Sequence, residues 1–317
     1  MKKAIAYAAA AVLALGTLAG CSAGKSESSG KLSVVTTVFP AYDFARQVFG
    51  DTADVTLLLK PGTESHSYDP SAKDIVKISE CDLFIYNGGE SDQWVNDIIS
   101  STDIPNTLRM MDCVEAIQEE ITEGMEHDHD EHDEDEEEYD EHIWTSPKNA
   151  AKICEAVKQA ACVTAPENAE QYTAAADEYI VQINTLDADF AELLDGCEEY
   201  FVFGDRFPLL YFFKEYGLNY YAAFPGCGSE VEPSAQTVAF LLNKLADDDT
   251  LKTVFYIELS NHKLADTLAA DSGTKTALFH TCHNISADDF NAGETYVSLM
   301  RHNYDTIKEA INGTDNN

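Results

Sequence analysis

Histidine is the side chain in this chain with the clearest potential for metal chemistry. Three of the nine histidines lie far apart in sequence, each in a segment rich in polar residues or proline: His66, His142 and His280. Neutral imidazole is a common ligand of Zn²⁺, and three imidazoles nearly fill a tetrahedral shell. If the fold brings the three together, the chain contains a zinc site.

An acidic segment containing three further histidines lies just before His142. Residues 126–142 hold 12 Asp or Glu, four His and one Tyr, without a basic residue. This composition cannot build a core, so we expect a disordered loop over about 119–141. One interpretation is that His127, His129 and His132 recruit Zn²⁺ loosely beside the main site; the alternative is a solvated acidic segment.

The charge of the whole chain favours a cationic partner. The sequence has 20 Lys and Arg against 57 Asp and Glu, which gives a formal net charge of −37. Nucleic acid and anionic lipid surfaces would be repelled by this charge, so we expect neither as a binding partner.

The N-terminus has the features of a targeting segment. Lys2 and Lys3 precede an apolar run that ends in Leu-Ala-Gly before Cys21, and the run is too short for a transmembrane helix. This ending resembles the bacterial lipobox, which implies a signal peptide at 1–20, lipidation of Cys21 and a tether at 21–31. The protein would then be exported and attached to the outer face of the bacterial cell membrane through its lipid alone. The alternative is an ordinary secretory signal.

The rest of the chain alternates between strand and helix patterns. This alternation predicts two α/β lobes with parallel sheets, at 32–163 and 198–317. The predicted strands are 32–38, 55–59, 83–86, 107–111, 200–203, 220–224, 253–257 and 276–279. His66 and His280 follow such strands, and ligands bind at the carboxyl ends of strands in open α/β sheets.

A long helical pattern at 164–197 separates the lobes. Apolar residues recur there in steps of four and three, which places them on one face of a helix. A coiled-coil dimer is one interpretation, but only three heptads are present, so we favour a rigid connector packed on both lobes of a monomer.

These features together resemble the metal-binding lipoproteins that serve bacterial ABC importers for zinc and manganese. The resemblance is carried by the lipobox, the segments 62–70, 142–147 and 214–218, the acidic loop and the long helix. It implies two (βα)4-like lobes joined by one rigid helix, with the metal in the cleft between them. It also implies that His66 and His142 are the first two ligands, and that the protein delivers Zn²⁺ to a membrane permease and is not an enzyme.

The other two ligand positions of the family match less well. The third falls on Arg206, which has no lone pair to offer a metal, so either Asp205 or water is the candidate replacement, while Arg206 pairs with a carboxylate such as Glu258. The fourth falls on His280, with His283 in reserve. A histidine in place of a carboxylate favours Zn²⁺ over Mn²⁺.

Cys227 and Cys282 both follow strands of the second lobe, so they are candidates for a disulfide, with packed thiols or a thiolate ligand as alternatives. A manganese-type binding protein or adhesin is one alternative function. A secreted zinc hydrolase is the other, although the chain has no HExxH segment.

Overall fold

Two four-stranded parallel sheets form the framework of the protein. The computed structural model describes residues 30–63, 68–126, 138–226 and 232–312, and both sheets lie in the unit that begins at Leu32. Several predicted features lie outside the described residues. These are the signal peptide, Cys21, most of the tether, His66, the three loop histidines and Cys227.

The first sheet has the strand order β2-β1-β3-β4. Its strands are β1 (Leu32–Thr36), β2 (Ala53–Leu57), β3 (Leu83–Tyr86) and β4 (Thr107–Arg109). The helices of this lobe are α1 (Phe39–Phe49), α2 (Ala72–Ser79), α3 (Trp94–Ser101) and α4 (Pro147–Thr164). Helix α4 begins where the Ser146 side chain accepts a hydrogen bond from Asn149 N–H and Pro147 takes the first helical position, both of which favour a helix start.

The second sheet repeats this topology, with the order β6-β5-β7-β8. Its strands are β5 (Tyr200–Phe207), β6 (Asn219–Pro225), β7 (Thr253–Ile257) and β8 (Lys275–Phe279). The prediction of two parallel α/β lobes is confirmed.

One long helix, α5 (Ala169–Leu194), connects the lobes. Its buried side chains recur at helical spacing from Tyr172 to Leu194, as the sequence pattern predicts. The remaining helices are α6 (Leu210–Tyr216), α7 (Ala235–Asp247), α8 (Lys263–Ser272), α9 (Ala287–Ala292) and α10 (Tyr296–Asn312). Helix α5 packs on α1 and α4 of the first lobe and on α6 and α10 of the second, so it forms a connector shared by both lobes.

A buried carboxylate on α1 reinforces this connection. Asp43 accepts hydrogen bonds from the Tyr179 hydroxyl on α5 and, at 2.9 Å, from the Tyr296 amide that begins α10. It also forms an ion pair with Arg46 at 2.9 Å. Helices from both lobes and the connector therefore meet at one side chain.

Among the residues that the structure describes, no helix combines the length and apolar composition needed to cross a membrane.

Candidate metal centre

His142 lies between the acidic segment and α4, and it is completely buried. Asp140 Oδ1 accepts the His142 backbone N–H at 2.7 Å and contacts its Nδ1 at 2.9 Å. Burial opposes the charged ring, but Asp140, with Glu141 and Glu119, raises the pKa of His142 above its ordinary value. Because Nδ1 is held by Asp140, Nε2 is the ring atom suited to bind a metal.

His283, in the second lobe, lies against His142. Their ring centroids are 5.1 Å apart, and the His283 ring lies at the same distance from Trp144. The two histidines line a cavity of about 20 Å³, which is room for one water molecule or one ion. Glu258, Arg206, Thr63 and Asn284 contribute to the same wall.

The loop after β8 brings His283 across to the first lobe. Cys282 has a φ of 60°, which turns the chain sharply just before His283. The His283 carbonyl accepts from Phe39 N–H at 3.2 Å, and the Asn284 side chain donates to the carbonyls of Lys60 at 2.9 Å and Thr63 at 2.6 Å. These bonds fix the position of the loop against the first lobe.

Glu258 is the carboxylic acid on the wall of this cavity. Burial raises its pKa to about 7, although hydrogen bonds from Thr281 oppose this shift. The Thr281 amide donates to Oε2 at 2.7 Å and its hydroxyl to Oε1 at 2.5 Å. Burial and the two hydrogen bonds from Thr281 therefore act in opposite directions on the pKa of Glu258.

The structure does not bring His280 into this cavity. Asn303 bonds the backbone of His280 on both sides, accepting from its N–H and donating to its carbonyl, each at 2.7 Å. The His280 ring lies 5.9 Å from the His302 ring, and burial lowers its pKa to about 4. The position differs from the expectation because the chain turns after His280, and His283 takes the place facing His142.

Asp205 also lies away from His142 and His283. Its carboxylate accepts from the backbone N–H groups of Arg206 at 2.8 Å and Ile257 at 3.3 Å, and burial raises its pKa. It lines a separate cavity of about 410 Å³, and Arg206 borders both cavities. Glu258 and Arg206 both line the smaller cavity, and their pairing stays a prediction.

The described residues alone do not form a complete metal shell. Among residues 30–63, 68–126, 138–226 and 232–312, no three His, Cys, Asp or Glu side chains lie close enough to hold a metal ion. Cys282 is buried and forms no disulfide with any cysteine that the structure describes. Its pairing with Cys227 stays a prediction.

Sequence reasoning overlooked the role of Asp140, which holds the His142 ring. The only signal was its position two residues before that histidine, inside a run of carboxylates that are otherwise alike. It also treated Glu258 only as a partner for Arg206, although Glu258 lies on the wall of the cavity with both histidines.

Comparisons with known proteins agree with this architecture. The zinc-binding lipoprotein AdcA of Streptococcus pneumoniae strain R6 is 32% identical over 293 residues, covering 92% of this chain and 58% of AdcA. This chain therefore spans little more than half of that relative. The high-affinity zinc uptake system protein ZnuA of Bacillus subtilis is 33% identical over 293 residues, covering 91% of this chain and 90% of ZnuA.

The solved structures give the same result. The Zn(II)-bound ZnuA-like domain of Streptococcus pneumoniae AdcA matches with a TM-score of 0.74 and 30% identity, covering 90% of this chain and all of that domain. The family model described as the periplasmic component A of the zinc-uptake complex, ZnuA, matches residues 34–310. The resemblance identified from the motifs is confirmed, and the chain belongs to the ZnuA family of zinc-uptake components.

Proposed function

We propose that this protein captures Zn²⁺ outside the cytoplasm and delivers it to the membrane permease of an ABC importer. One observation carries the proposal: the buried side chains of His142 and His283, from different lobes, meet at a small cavity with room for a single ion. Membership of the ZnuA family supports zinc as the transported ion. The family consists of metal-binding transport components, so we expect no catalytic activity.

We further propose that His66, His142 and His283 are the zinc ligands, with Glu258 on the wall of the cavity beside them. His66 comes from the sequence argument, and Thr63, three residues before it, lines the cavity. His283 takes the place expected for His280 because it contacts His142. Three imidazole ligands favour Zn²⁺ over Mn²⁺, which prefers oxygen ligands.

The ionisation of Glu258 suits this position. A carboxyl group with a pKa of about 7 is ready to lose its proton when a divalent cation arrives beside it. The charge of the captured ion then offsets the cost of burying the carboxylate. Asp140 would hold the His142 ring in the orientation in which Nε2 is the ligand atom.

We propose that the protein acts as a lipid-anchored monomer. The Leu-Ala-Gly sequence before Cys21 supports lipidation at that residue, with 1–20 removed and 21–31 as a tether. The relative AdcA is named as a lipoprotein. Metabolic labelling with a palmitate analogue tests the anchor, and Cys21→Ala should abolish the label.

The acidic loop is proposed to gather zinc beside the main site through His127, His129 and His132. Deleting 127–137, which keeps the paired segments on either side of the loop, should remove weak calorimetric binding events and leave one tight event. Loss of the tight event would contradict this separation. Thiol titration of the unreduced protein tests the proposed Cys227–Cys282 disulfide.

The central experiment measures zinc directly. Purified protein should contain one tightly bound zinc per chain by elemental analysis, and competition with a chromophoric chelator should give its affinity. A strain lacking the protein should grow poorly under zinc limitation and recover with wild type but not with His142→Ala. Normal growth of the deletion strain in zinc-depleted medium, or no zinc in the protein, would overturn the proposed function. Peptidase and esterase assays on the zinc-loaded protein test the absence of catalysis.

A further inference from the structure

Two short segments form a stalk at the base of the acidic loop, here defined as residues 117–119 and 138–140. They pair in antiparallel fashion, with the bridge between Gln118 and Tyr139. Glu119 N–H donates to the Glu138 carbonyl at 2.9 Å, and Asp140 N–H donates to the Ile117 carbonyl at 3.0 Å. The second segment of the stalk ends two residues before His142, so its position sets that of the histidine.

The second lobe holds the chain that leaves the stalk towards the loop. Glu126 N–H donates to the Ala223 carbonyl on β6 at 2.9 Å. The Thr237 hydroxyl on α7 donates to the Gly124 carbonyl at 3.0 Å. Gly124 lies so close to the Phe240 ring that an added Cβ would come within 2.1 Å of it. The chain that leaves the stalk is therefore bonded to the second lobe, although the stalk itself carries Asp140, which holds His142 of the first lobe.

Tyr211 on α6 contacts both segments of the stalk at once. Its buried hydroxyl accepts the Ile117 N–H at 3.1 Å and donates to the Asp140 carbonyl at 2.9 Å. Asp140 is in turn bonded through Oδ1 to the backbone and the ring of His142. A continuous series of hydrogen bonds thus runs from a helix of the second lobe to a histidine of the first.

We propose that Tyr211 is a positioning residue for the zinc site. Its hydroxyl fixes Asp140, Asp140 fixes the His142 ring, and the affinity for zinc depends on this arrangement being formed before the ion arrives. The inference rests on the proposed function. Partners of this kind, one step behind a ligand, commonly change metal affinity by about 10–100-fold when they are removed.

Tyr211→Phe is the direct test, because it keeps the ring and removes only the hydroxyl. We expect the zinc dissociation constant to rise about 10-fold. Tyr216→Phe is the matched control: Tyr216 lies on the same helix, and its hydroxyl bonds Asp187 on α5 at 2.9 Å, away from the stalk. The control should lower the melting temperature of the apoprotein while changing the zinc dissociation constant by less than about twofold.

A double-mutant cycle separates positioning from general destabilisation. If Tyr211 acts through Asp140, adding Tyr211→Phe to Asp140→Asn should change zinc affinity by less than about twofold, far short of its effect in wild type. Co²⁺ bound in place of zinc gives a second readout, since its visible absorption bands report the geometry of the ligands. We expect Tyr211→Phe to alter these bands and Tyr216→Phe to leave them unchanged.

The outcomes distinguish the two proposals. Wild-type affinity in Tyr211→Phe, an equal loss in Tyr216→Phe, or full additivity with Asp140→Asn would each overturn the positioning role while leaving zinc capture intact. Failure of the wild-type protein to bind zinc would instead overturn the proposed function, and the positioning role with it.

Discussion

Replacing each of the two candidate histidines after β8 in turn gives the sharpest test of the metal site. We expect His283→Ala to raise the zinc dissociation constant by more than about 100-fold, because even partners one step behind a ligand contribute about 10–100-fold. That change corresponds to about 2.7 kcal/mol or more of binding free energy. His280→Ala should change the constant by less than about threefold, because its ring lies beside His302 and Asn303 bonds only its backbone.

The difference must be separated from effects on folding. His283 packs between His142 and Trp144, so an alanine there leaves a cavity that lowers stability by itself. His283→Gln preserves most of the volume and serves as the second variant, with the same loss of zinc affinity expected. The backbone bonds of His283 to Phe39 and Thr281 do not involve the ring, so they should persist in both variants.

Chelator competition at fixed pH, with urea unfolding of each apoprotein, completes the experiment. The reasoning is refuted if His280→Ala weakens zinc binding as much as His283→Ala. It is refuted equally if His283→Gln binds zinc as tightly as wild type.

Three further predictions concern stability. Zinc at 1,000 times its dissociation constant should stabilise the folded protein by about 4 kcal/mol, seen as a rise in melting temperature that EDTA reverses; an unchanged melting temperature would contradict binding to the folded state. Asp43→Ala should cost about 3–5 kcal/mol of unfolding free energy in urea, since it leaves Tyr179 and the Tyr296 amide without their buried acceptor, while zinc affinity changes by less than about threefold. Burial raises the pKa of Asp92 to about 6, above an unfolded value of about 3.9. The neutral carboxyl group of Asp92 therefore contributes fully to stability below pH 4, and this contribution is lost as the pH rises through 6. Urea unfolding should therefore show wild type losing up to about 3 kcal/mol relative to Asp92→Asn between pH 4 and 7, and parallel pH profiles would contradict it.

The strands were accessible to sequence reasoning because buried parallel strands are short apolar runs. The predicted strand at 83–86 coincides with β3, and the one at 253–257 coincides with β7. Helix α4 was overlooked because its 18 residues are largely alanine, lysine and small polar side chains, so its apolar stripe is weak. Its start signals, Ser146 and Pro147, were present, but they were considered only as part of a motif.

The candidate ligand after β8 was beyond the sequence for a different reason. His280 follows the strand directly, and a chain that continued straight would favour it as the ligand. The choice of His283 depends on Cys282 adopting a positive φ, which residues other than glycine rarely do and which no local pattern indicates. The bonds that stabilise this turn come from Phe39 and from the Lys60 and Thr63 carbonyls, more than 200 residues away in the chain.

Each lobe holds the candidate ligand of the other in place. His142 belongs to the first lobe, but Asp140 behind it is bonded by Tyr211 of the second, and the neighbouring Trp144 indole donates to the Thr281 carbonyl at 2.8 Å. His283 belongs to the second lobe, yet its loop is bonded to Phe39 and to the chain around Thr63. Because α5 packs on both lobes and Asp43 joins α1, α5 and α10, a wide hinge motion would break these bonds together. If the proposed ligands hold zinc, its release therefore requires a local change in one ligand loop rather than a wide hinge motion.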